Sequence, residues 1–273
     1  MKKEEKYFSA EGELLKNAVY EDAMKMDSAL IKLLLSAEVC KSRFFTDVEG
    51  VYPADPRKIK GAQKLNEITY DEMLELATLG AQVLNNRSVE MAKKYNVKLE
   101  VLSSLVRKPG TIVKEVADME KMLVRGVTKD TDVARVSIIG VPNVPGIAYK
   151  IFGKLAAKDV NVDIILQSVG RGDTKDITFT TTKAHMNDTV ETLKALDLLE
   201  GLEVICDTNV AKVSVVGAGM ETHPGVASKM FESLSDAGIN IQNISTSEIK
   251  ISVLVDIKDG ERALNAVHDA FIN

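Results

Sequence analysis

The fold is decided by a short apolar segment that occurs twice, Val136-Ser137-Ile138-Ile139-Gly140-Val141 and Val213-Ser214-Val215-Val216-Gly217-Ala218. A Pro-Gly pair follows each copy, Pro145-Gly146 in the first and Pro224-Gly225 in the second, and apolar residues at helical spacing come next. Each unit therefore predicts a strand, a Pro-Gly turn, a helix, two strands and a second helix. A unit of ~80 residues that occurs only twice indicates a duplicated small domain rather than a solenoid.

The two copies differ at their ends. The first copy continues after its second helix, Asp188–Leu199, into a predicted strand, Glu203–Cys206, whereas the second copy stops at the helix Gly260–Phe271. The second copy therefore lacks a last strand. The segment Leu123–Val127, which precedes the first copy, has the character of a strand without a partner. We expect this segment to fill the gap and to tie the two copies together.

The N-terminal part has a different pattern. Residues 13–38 place apolar side chains at helical spacing and predict one or two helices. Thr69 and Glu72 have the spacing of a capping box and predict the start of another helix. The remaining elements expected here are a strand at Phe44-Phe45, a helix at Ser88–Tyr95 and a strand at Val97–Val101. This order is typical of a layered α/β domain, which a turn at Pro109-Gly110-Thr111 and a charged connector separate from the repeats.

Length and composition narrow the class of protein. At ~150 residues per domain, 273 residues correspond to about two domains. No run approaches the ~18 apolar residues of a membrane span, and no apolar core follows the basic N-terminus, so neither a membrane span nor a secretory signal is expected. A net charge of −5 and an aromatic content of 5% argue against a nucleic-acid-binding surface.

Cysteine and histidine residues, which often form catalytic and metal sites, are few and lie far apart in the sequence. Cys40 and Cys206 form no CxxC motif and predict free or buried thiols in a reducing cytoplasm. The isolated His185, His223 and His268 offer little from which to build a metal site, so none is expected. No nucleophile motif and no glycine-rich phosphate cradle occurs, and no catalytic residue is predicted.

The Pro-Gly pair at the head of each repeat helix suggests a ligand site. Glycine there lets a ligand approach the backbone, and free N–H groups with the helix dipole suit a carboxylate. Nearby amides at Asn143, Gln167 and Asn240 can both donate to and accept from a free amino acid. The same residues would equally serve a tight turn between strand and helix, and the residue pattern leaves both interpretations open.

The loop from Thr46 to Arg57 is a second candidate. Thr46 and Asp47 follow a predicted strand, and ligands in α/β folds bind at the carboxyl ends of strands. The planar guanidinium of Arg57 suits a phosphate. A polar surface loop with a salt-bridged arginine is the alternative.

Longer motifs resemble a known family. The segments Phe45–Tyr52, Ala54–Arg57 and Ile68–Ala77, with Arg87-Ser88-Val89-Glu90, strongly resemble aspartate kinases, and the tandem repeat resembles that family's pair of ACT domains. The resemblance implies a fold class of α/β and α+β. It places a truncated amino-acid-kinase α/β sandwich at residues 1–118 and two ferredoxin-like (βαββαβ) ACT domains at 119–207 and 208–273.

The resemblance also implies an activity and sites. Aspartate kinases transfer the γ-phosphoryl group of ATP, with Mg²⁺, to the β-carboxylate of L-aspartate, and lysine or threonine controls them. The nucleotide-binding residues implied are Thr46, Asp47, Tyr52 and Arg57. The effector-binding residues implied are Asn143, Gly146, Ile147, Ala148, Gln167, Asn240, Ile241 and Ser247. A cytoplasmic homodimer through the ACT domains is expected.

The chain departs from the family at its N-terminal side. The family's Lys-Phe-Gly-Gly and Arg-Gly-Gly-Ser-Asp motifs are not found, Gln82 stands where lysine is common, and Asn85-Asn86 replaces His-Pro. We therefore expect an N-terminally shortened, regulatory chain that senses amino acids, is inactive alone and pairs with a complete catalytic chain. One alternative is a competent kinase whose missing segment lies outside this sequence or is supplied by another chain. Another is a structural ACT partner without an effector.

Overall fold

The duplicated segments form central strands of two separate sheets in the computed structural model of the chain. The structure describes residues 7–8, 14–15, 41–57, 59, 62–79, 83–116, 123–168, 172–196, 199–220 and 223–272. Within these residues, three four-stranded sheets and one two-stranded pair are present. No helix in the described ranges has the length and apolar character needed to cross a membrane.

The N-terminal part contains a mixed sheet. Its elements are β1 (Tyr7–Phe8), β2 (Leu14–Leu15), β3 (Lys41–Thr46), β4 (Glu67–Thr69), α1 (Tyr70–Thr78), α2 (Asn86–Lys94), β5 (Lys98–Ser103) and β6 (Thr111–Lys114). β1 and β2 pair with each other, and the four-stranded sheet has the order β3-β5-β6-β4. β3 runs parallel to β5 and β4 parallel to β6, whereas β5 and β6 are antiparallel. We call the part from β3 to β6, which the resemblance assigns to an amino-acid-kinase domain, the kinase-type part.

The capping box predicted at the start of α1 is confirmed. The Thr69 side chain accepts from the backbone N–H of Glu72, and the Glu72 carboxylate accepts from the backbone N–H of Thr69. Two orphan donors of the first turn are satisfied in this way. The hydroxyl of Tyr70 donates to the carbonyl of Val97 at 2.8 Å, which joins α1 to the strand that follows α2.

The first repeat unit forms an antiparallel sheet with two helices. After β7 (Gly126–Asp130), its elements are β8 (Ala134–Pro142), α3 (Ile147–Ala156), β9 (Ile165–Gln167), β10 (Thr174–Thr181), α4 (Met186–Lys194) and β11 (Glu203–Asp207). The sheet has the order β11-β8-β10-β9 and does not include β7. We call this sheet and its helices the first module.

The fourth strand of the second repeat unit's sheet comes from a segment that precedes the first unit. Its own elements are β12 (Val210–Val216), α5 (Val226–Asp236), β13 (Asn243–Thr246), β14 (Lys250–Asp256) and α6 (Gly260–Ile272). The sheet has the order β13-β14-β12-β7, so β7 occupies the place that β11 occupies in the first module. The predicted gap-filling strand is confirmed, although it begins at Gly126 rather than Leu123. We call this sheet and its helices the second module.

The chain crosses between the two modules at two matched turns. Asp130 accepts from the N–H of Asp132 at 2.8 Å where β7 leads into β8, and Asp207 accepts from Asn209 at 2.8 Å where β11 leads into β12. The valines after these turns, Val133 and Val210, pack in one small cluster. The modules are therefore linked at equivalent positions of the repeat.

The apolar cores of the kinase-type part and the second module each include residues from the other part. Val216 of β12 packs in the apolar core of the kinase-type part. Ala54 and Ile59, from the loop after β3, pack in the core of the second module. The kinase-type part and the second module are thus joined by shared apolar packing.

Three local predictions are wrong. Leu14–Leu15 form a strand where a helix was predicted, while the rest of residues 13–38 lies outside the described residues. The turn predicted at Pro109-Gly110-Thr111 does not separate the domains, because Thr111 begins β6, which pairs with β4 and β5 in the same sheet; at Gly110 a Cβ would fall 1.9 Å from the Val101 carbonyl oxygen. The helix predicted to end at Leu199 ends at Lys194.

Candidate functional site

A cavity of about 680 Å³ lies between the loop after β3 and the edge of the second module. All four residues predicted to hold a nucleotide line it: Thr46, Asp47, Tyr52 and Arg57. This volume is within the range of about 300–1,000 Å³ that is typical of small-molecule sites. The structure therefore brings the predicted nucleotide residues together around one space.

The first edge of the cavity is the carboxyl end of β3. The Thr46 hydroxyl donates to the Asp47 carboxylate at 3.0 Å. The Thr46 carbonyl accepts from the N–H of Ser104 at 2.8 Å, which holds the end of β3 against the chain after β5. Both residues thus present polar atoms at a position held by the parallel pair β3–β5.

Arg57 is oriented by its own loop. Asp55 accepts from the Arg57 backbone N–H and from Nε, each at 3.0 Å. This hydrogen bond and the charge of Asp55 raise the pKa of the Arg57 guanidinium. The arginine side chain nevertheless remains 71% exposed, so the part of its guanidinium that Asp55 does not engage is accessible to an anion. Arg57 thus forms the salt bridge that the alternative interpretation expected, and it can still contact an anion.

Tyr52 lies deeper in the same loop. Partial burial raises the pKa of its phenol, and the nearby Glu49 carboxylate raises it further, while Lys108 lowers it. The phenol is therefore neutral at physiological pH and is available as a hydrogen-bond donor.

The opposite wall comes from the second module. The backbone N–H of Val127 in β7 donates to the Pro53 carbonyl at 2.6 Å. Residues of β7 and the turn after it line the cavity: Val127, Thr128, Lys129, Asp130, Thr131 and Asp132. The sequence patterns described above did not predict this wall. A signal was present, since Asp130-Thr131-Asp132-Val133-Ala134 corresponds to Asp207-Thr208-Asn209-Val210-Ala211 and extends the repeat upstream to β7.

A buried carboxylate joins the kinase-type part to the second module. Glu72 is fully buried, and its Oε1 accepts from the N–H of Ala218 at 3.0 Å. The same oxygen lies 3.7 Å from Nε of Arg125, which is also buried. One turn further along α1, Glu75 pairs with Lys250 of β14 at 3.0 Å. α1 is therefore attached to the second module at two points. Its Leu76 also lines the cavity.

The effector residues predicted in the first module lie around the start of α3. Gly146 is the N-cap with φ +83°, and no side chain caps the helix. A Cβ built on Gly146 would meet no atom within 4 Å, so the space beside the helix N-terminus is open. Asn143 and Gln167 are exposed, Ala148 is partly buried and Ile147 is buried beneath them.

The effector residues predicted in the second module lie on its loops. Ile241 packs against the module's core. Asn240 is exposed, and the N–H of Ser247 donates to the Lys250 carbonyl at 2.7 Å in the β13–β14 hairpin. Gly225 is the N-cap of α5 with φ +97°, so the two helix N-termini match. Among the described residues, no hydrogen bond connects the two groups of predicted effector residues.

Of the other residues noted in the sequence, Asn85 has a structural role. Asn85 caps α2, and its side chain accepts from the N–H of Arg87 at 2.9 Å. Gln82 and Cys40 lie outside the described residues, and Cys206 is a free, exposed thiol. No group of three histidine, cysteine or acidic residues suited to a metal ion occurs in the described part of the chain.

Family models match both parts of the chain. The amino acid kinase family model matches residues 24–103, and the ACT domain model matches residues 136–196 and 213–271. These matches and the three sheets confirm the predicted fold class. The boundaries predicted at 118 and 207 remain predictions.

Known proteins match over most of the chain. An aspartate kinase of Stutzerimonas stutzeri is 45% identical over 248 residues, which is 90% of this chain and 60% of the relative. The chain thus spans about three fifths of the length of this curated relative. The regulatory subunit of aspartate kinase from Thermus thermophilus is 41% identical with a TM-score of 0.52, over 55% of this chain and 99% of the subunit. Escherichia coli aspartokinase III, solved with aspartate and ADP, is 22% identical with a TM-score of 0.79, over 98% of this chain and 59% of that protein.

Proposed function

Because this chain belongs to the aspartate kinase family, we propose that it acts as a regulatory chain that senses lysine, threonine or both. The observation that supports this proposal is the pair of matched helix N-termini, at Gly146 and Gly225, each next to open space. The separate regulatory subunit of Thermus thermophilus, which this chain covers almost completely, is a precedent for such a chain.

The chemistry of these helix N-termini suits a free amino acid. The first N–H groups of α3 have no side-chain partner at the cap, and the helix dipole favours a carboxylate there. The exposed amides of Asn143 and Gln167 accept from an ammonium group. Escherichia coli aspartokinase III has been solved in complex with lysine and aspartate, which supports lysine as one effector.

The cavity after β3 is the proposed nucleotide site. Arg57 would contact phosphates through its exposed fork, and Asp47 would face the Mg²⁺ that accompanies them. Phosphoryl transfer to aspartate needs a positively charged, backbone-lined cradle. The proposal assigns nucleotide binding to this chain and the cradle to a complete catalytic chain that assembles with it, with the chains meeting as dimers through their ACT sheets. A cytoplasmic location also remains a prediction.

Ligand-induced stabilisation tests the sensing role. At a lysine or threonine concentration of about 100 Kd, a ligand that binds only the folded state adds about 2.7 kcal/mol of stability. Gly146→Ala places a methyl group in the open space and should reduce this stabilisation. Gly201→Ala is the matched control, because Gly201 has φ +79°, and a Cβ there also meets nothing within 4 Å. Absence of a shift with either amino acid at millimolar concentration would favour the structural alternative.

An activity assay separates the regulatory chain from a competent kinase. The purified chain with ATP, Mg²⁺ and L-aspartate should form no aspartyl phosphate. Clear turnover by this chain alone would overturn the regulatory proposal in favour of the catalytic alternative.

A further inference from the structure

We propose that the outer backbone edge of β7, at Lys129, binds the base of the nucleotide. The inference rests on the proposed nucleotide site and specifies how its far wall is used. It makes the second module part of the nucleotide pocket itself.

The geometry of β7 points its backbone into the cavity. β7 is the edge strand of its sheet and pairs on one side with β12. The Val127 N–H points to the other side, since it donates to Pro53. In an antiparallel strand the N–H and C=O of one residue face the same side, and alternate residues repeat that direction. The N–H and C=O of Lys129 therefore face away from β12 and toward the cavity that Lys129 lines.

A purine base matches this edge. An outward N–H beside an outward C=O pairs with an acceptor and a donor that are adjacent on the ligand, as N1 and the exocyclic amine of adenine are. Apolar side chains complete the walls for the faces of the ring, among them Leu76, Val83 and Leu264. The arrangement combines apolar walls with a few directed polar groups, which is how small-ligand pockets achieve orientation.

Charge determines which end of the nucleotide lies at β7. Asp130 and Asp132 line the cavity at this end and disfavour phosphate groups there, since the positive charge of Lys129 is already paired with Glu261. Arg57 lies in the opposite wall with its guanidinium exposed. Asp55 at that end is paired with Arg57, and Asp47 would meet the phosphates through Mg²⁺, so the phosphates lie toward Arg57 and the base toward β7.

Nucleobase variation on the unmodified chain tests the inference. We would titrate ADP and purine riboside 5′-diphosphate, which lacks the exocyclic amine, by isothermal calorimetry. One hydrogen bond to the Lys129 carbonyl should make ADP bind roughly five- to tenfold more tightly. Equal affinities would overturn the inference. If neither nucleotide binds, the proposed nucleotide site itself fails, which is a distinguishable result.

A matched pair of variants tests the N–H. Proline is tolerated on an edge strand where its missing N–H would face outward, so Lys129→Pro removes the proposed donor. Lys129→Ala is the control, because both variants lose the ion pair between Lys129 and Glu261. ADP should bind roughly fivefold more weakly to Lys129→Pro than to Lys129→Ala. Equal ADP affinity for the two folded variants would overturn the inference, and if Lys129→Pro fails to fold, the nucleobase comparison decides.

Discussion

The two modules have the same fold but different surroundings. In the first module, the residues of β8 alternate between buried and partly buried. In the second module, every residue of the equivalent strand β12 is buried. The ion pairs of these strands correspond, since Arg135 pairs with Asp207 of β11 and Lys212 approaches Asp130 of β7. Duplication preserved the internal contacts, and the neighbours of each copy determined how much of its sheet meets solvent.

The kinase-type part and the first module together account for this difference. α1 covers one end of β12 through Glu72 and Val216. Lys212 also pairs with Asp163 of the first module at 2.6 Å. The second module therefore lies between the other two parts of the molecule, whereas Ile165 and Ile205, on the two edge strands of the first module, remain about half exposed.

Removal of β7 should produce the largest difference in stability between the two modules. Deletion of residues 120–128 takes away most of the strand that completes the second sheet and the wall that faces Pro53. We expect the second module to unfold while the first module, whose sheet does not contain β7, keeps its structure. Hydrogen exchange followed by mass spectrometry would resolve the two modules. Unchanged thermal stability of the deletion variant would contradict the role assigned to β7.

Loss of Glu72 should have the next largest effect. Glu72→Ala removes the acceptor of the Ala218 N–H, half of the capping box and the carboxylate beside the buried Arg125. Disruption of such a buried network costs about 3–5 kcal/mol. Glu75→Ala, on the same helix, breaks a more exposed pair with Lys250 and should cost about 0–1 kcal/mol. Urea unfolding measures both values, and similar losses for the two variants would show that burial does not govern the coupling.

Matched hydroxyl pairs allow a finer comparison of the modules. Ser214 and Ser252 lie 2.8 Å apart in the buried face of the second sheet, and Ser137 and Thr178 lie 2.8 Å apart in the partly buried face of the first. Ser214→Ala leaves a buried hydroxyl without its partner and should cost about 1–3 kcal/mol. Ser137→Ala should cost less because water reaches that face. Chemical denaturation of the two variants tests this order, which the reverse ranking would refute.

The smallest expected effect concerns pH. The pKa of Asp256 is lowered chiefly by the backbone N–H of Lys258, which the carboxylate caps after β14. Because the folded pKa is depressed, the stabilisation is present above the ordinary carboxyl pKa and is lost as pH falls through the folded value. The equivalent Thr182 after β10 forms no such cap. Asp256→Asn should therefore slightly reduce the pH dependence of Tm below about pH 4, and a Thr182→Ala variant should not.

Much of the architecture followed from local patterns in the sequence. The duplicated strand, the Pro-Gly helix starts and the Thr69–Glu72 cap depend on residues close together in the chain, and the structure confirms them. Gly110 shows where this fails, since its role depends on the distant carbonyl of Val101. The same holds for the candidate site. Its near wall, from Thr46 to Arg57, is one continuous stretch of chain, but its far wall comes from a strand that lies some seventy residues further on.

The close packing at Gly126 affects which parts of the molecule unfold together. A Cβ at this position would lie 2.8 Å from the Leu76 side chain and 3.0 Å from the Pro53 carbonyl. The kinase-type part and the second module meet there with no room for even a methyl group. Regions that share a core in this way exchange their amide hydrogens as one cooperative unit. Slow exchange in α1 and in β12 should therefore be lost together, and the loop that carries Arg57 is held in part by the sheet of the second module, through the hydrogen bond from Val127 to Pro53.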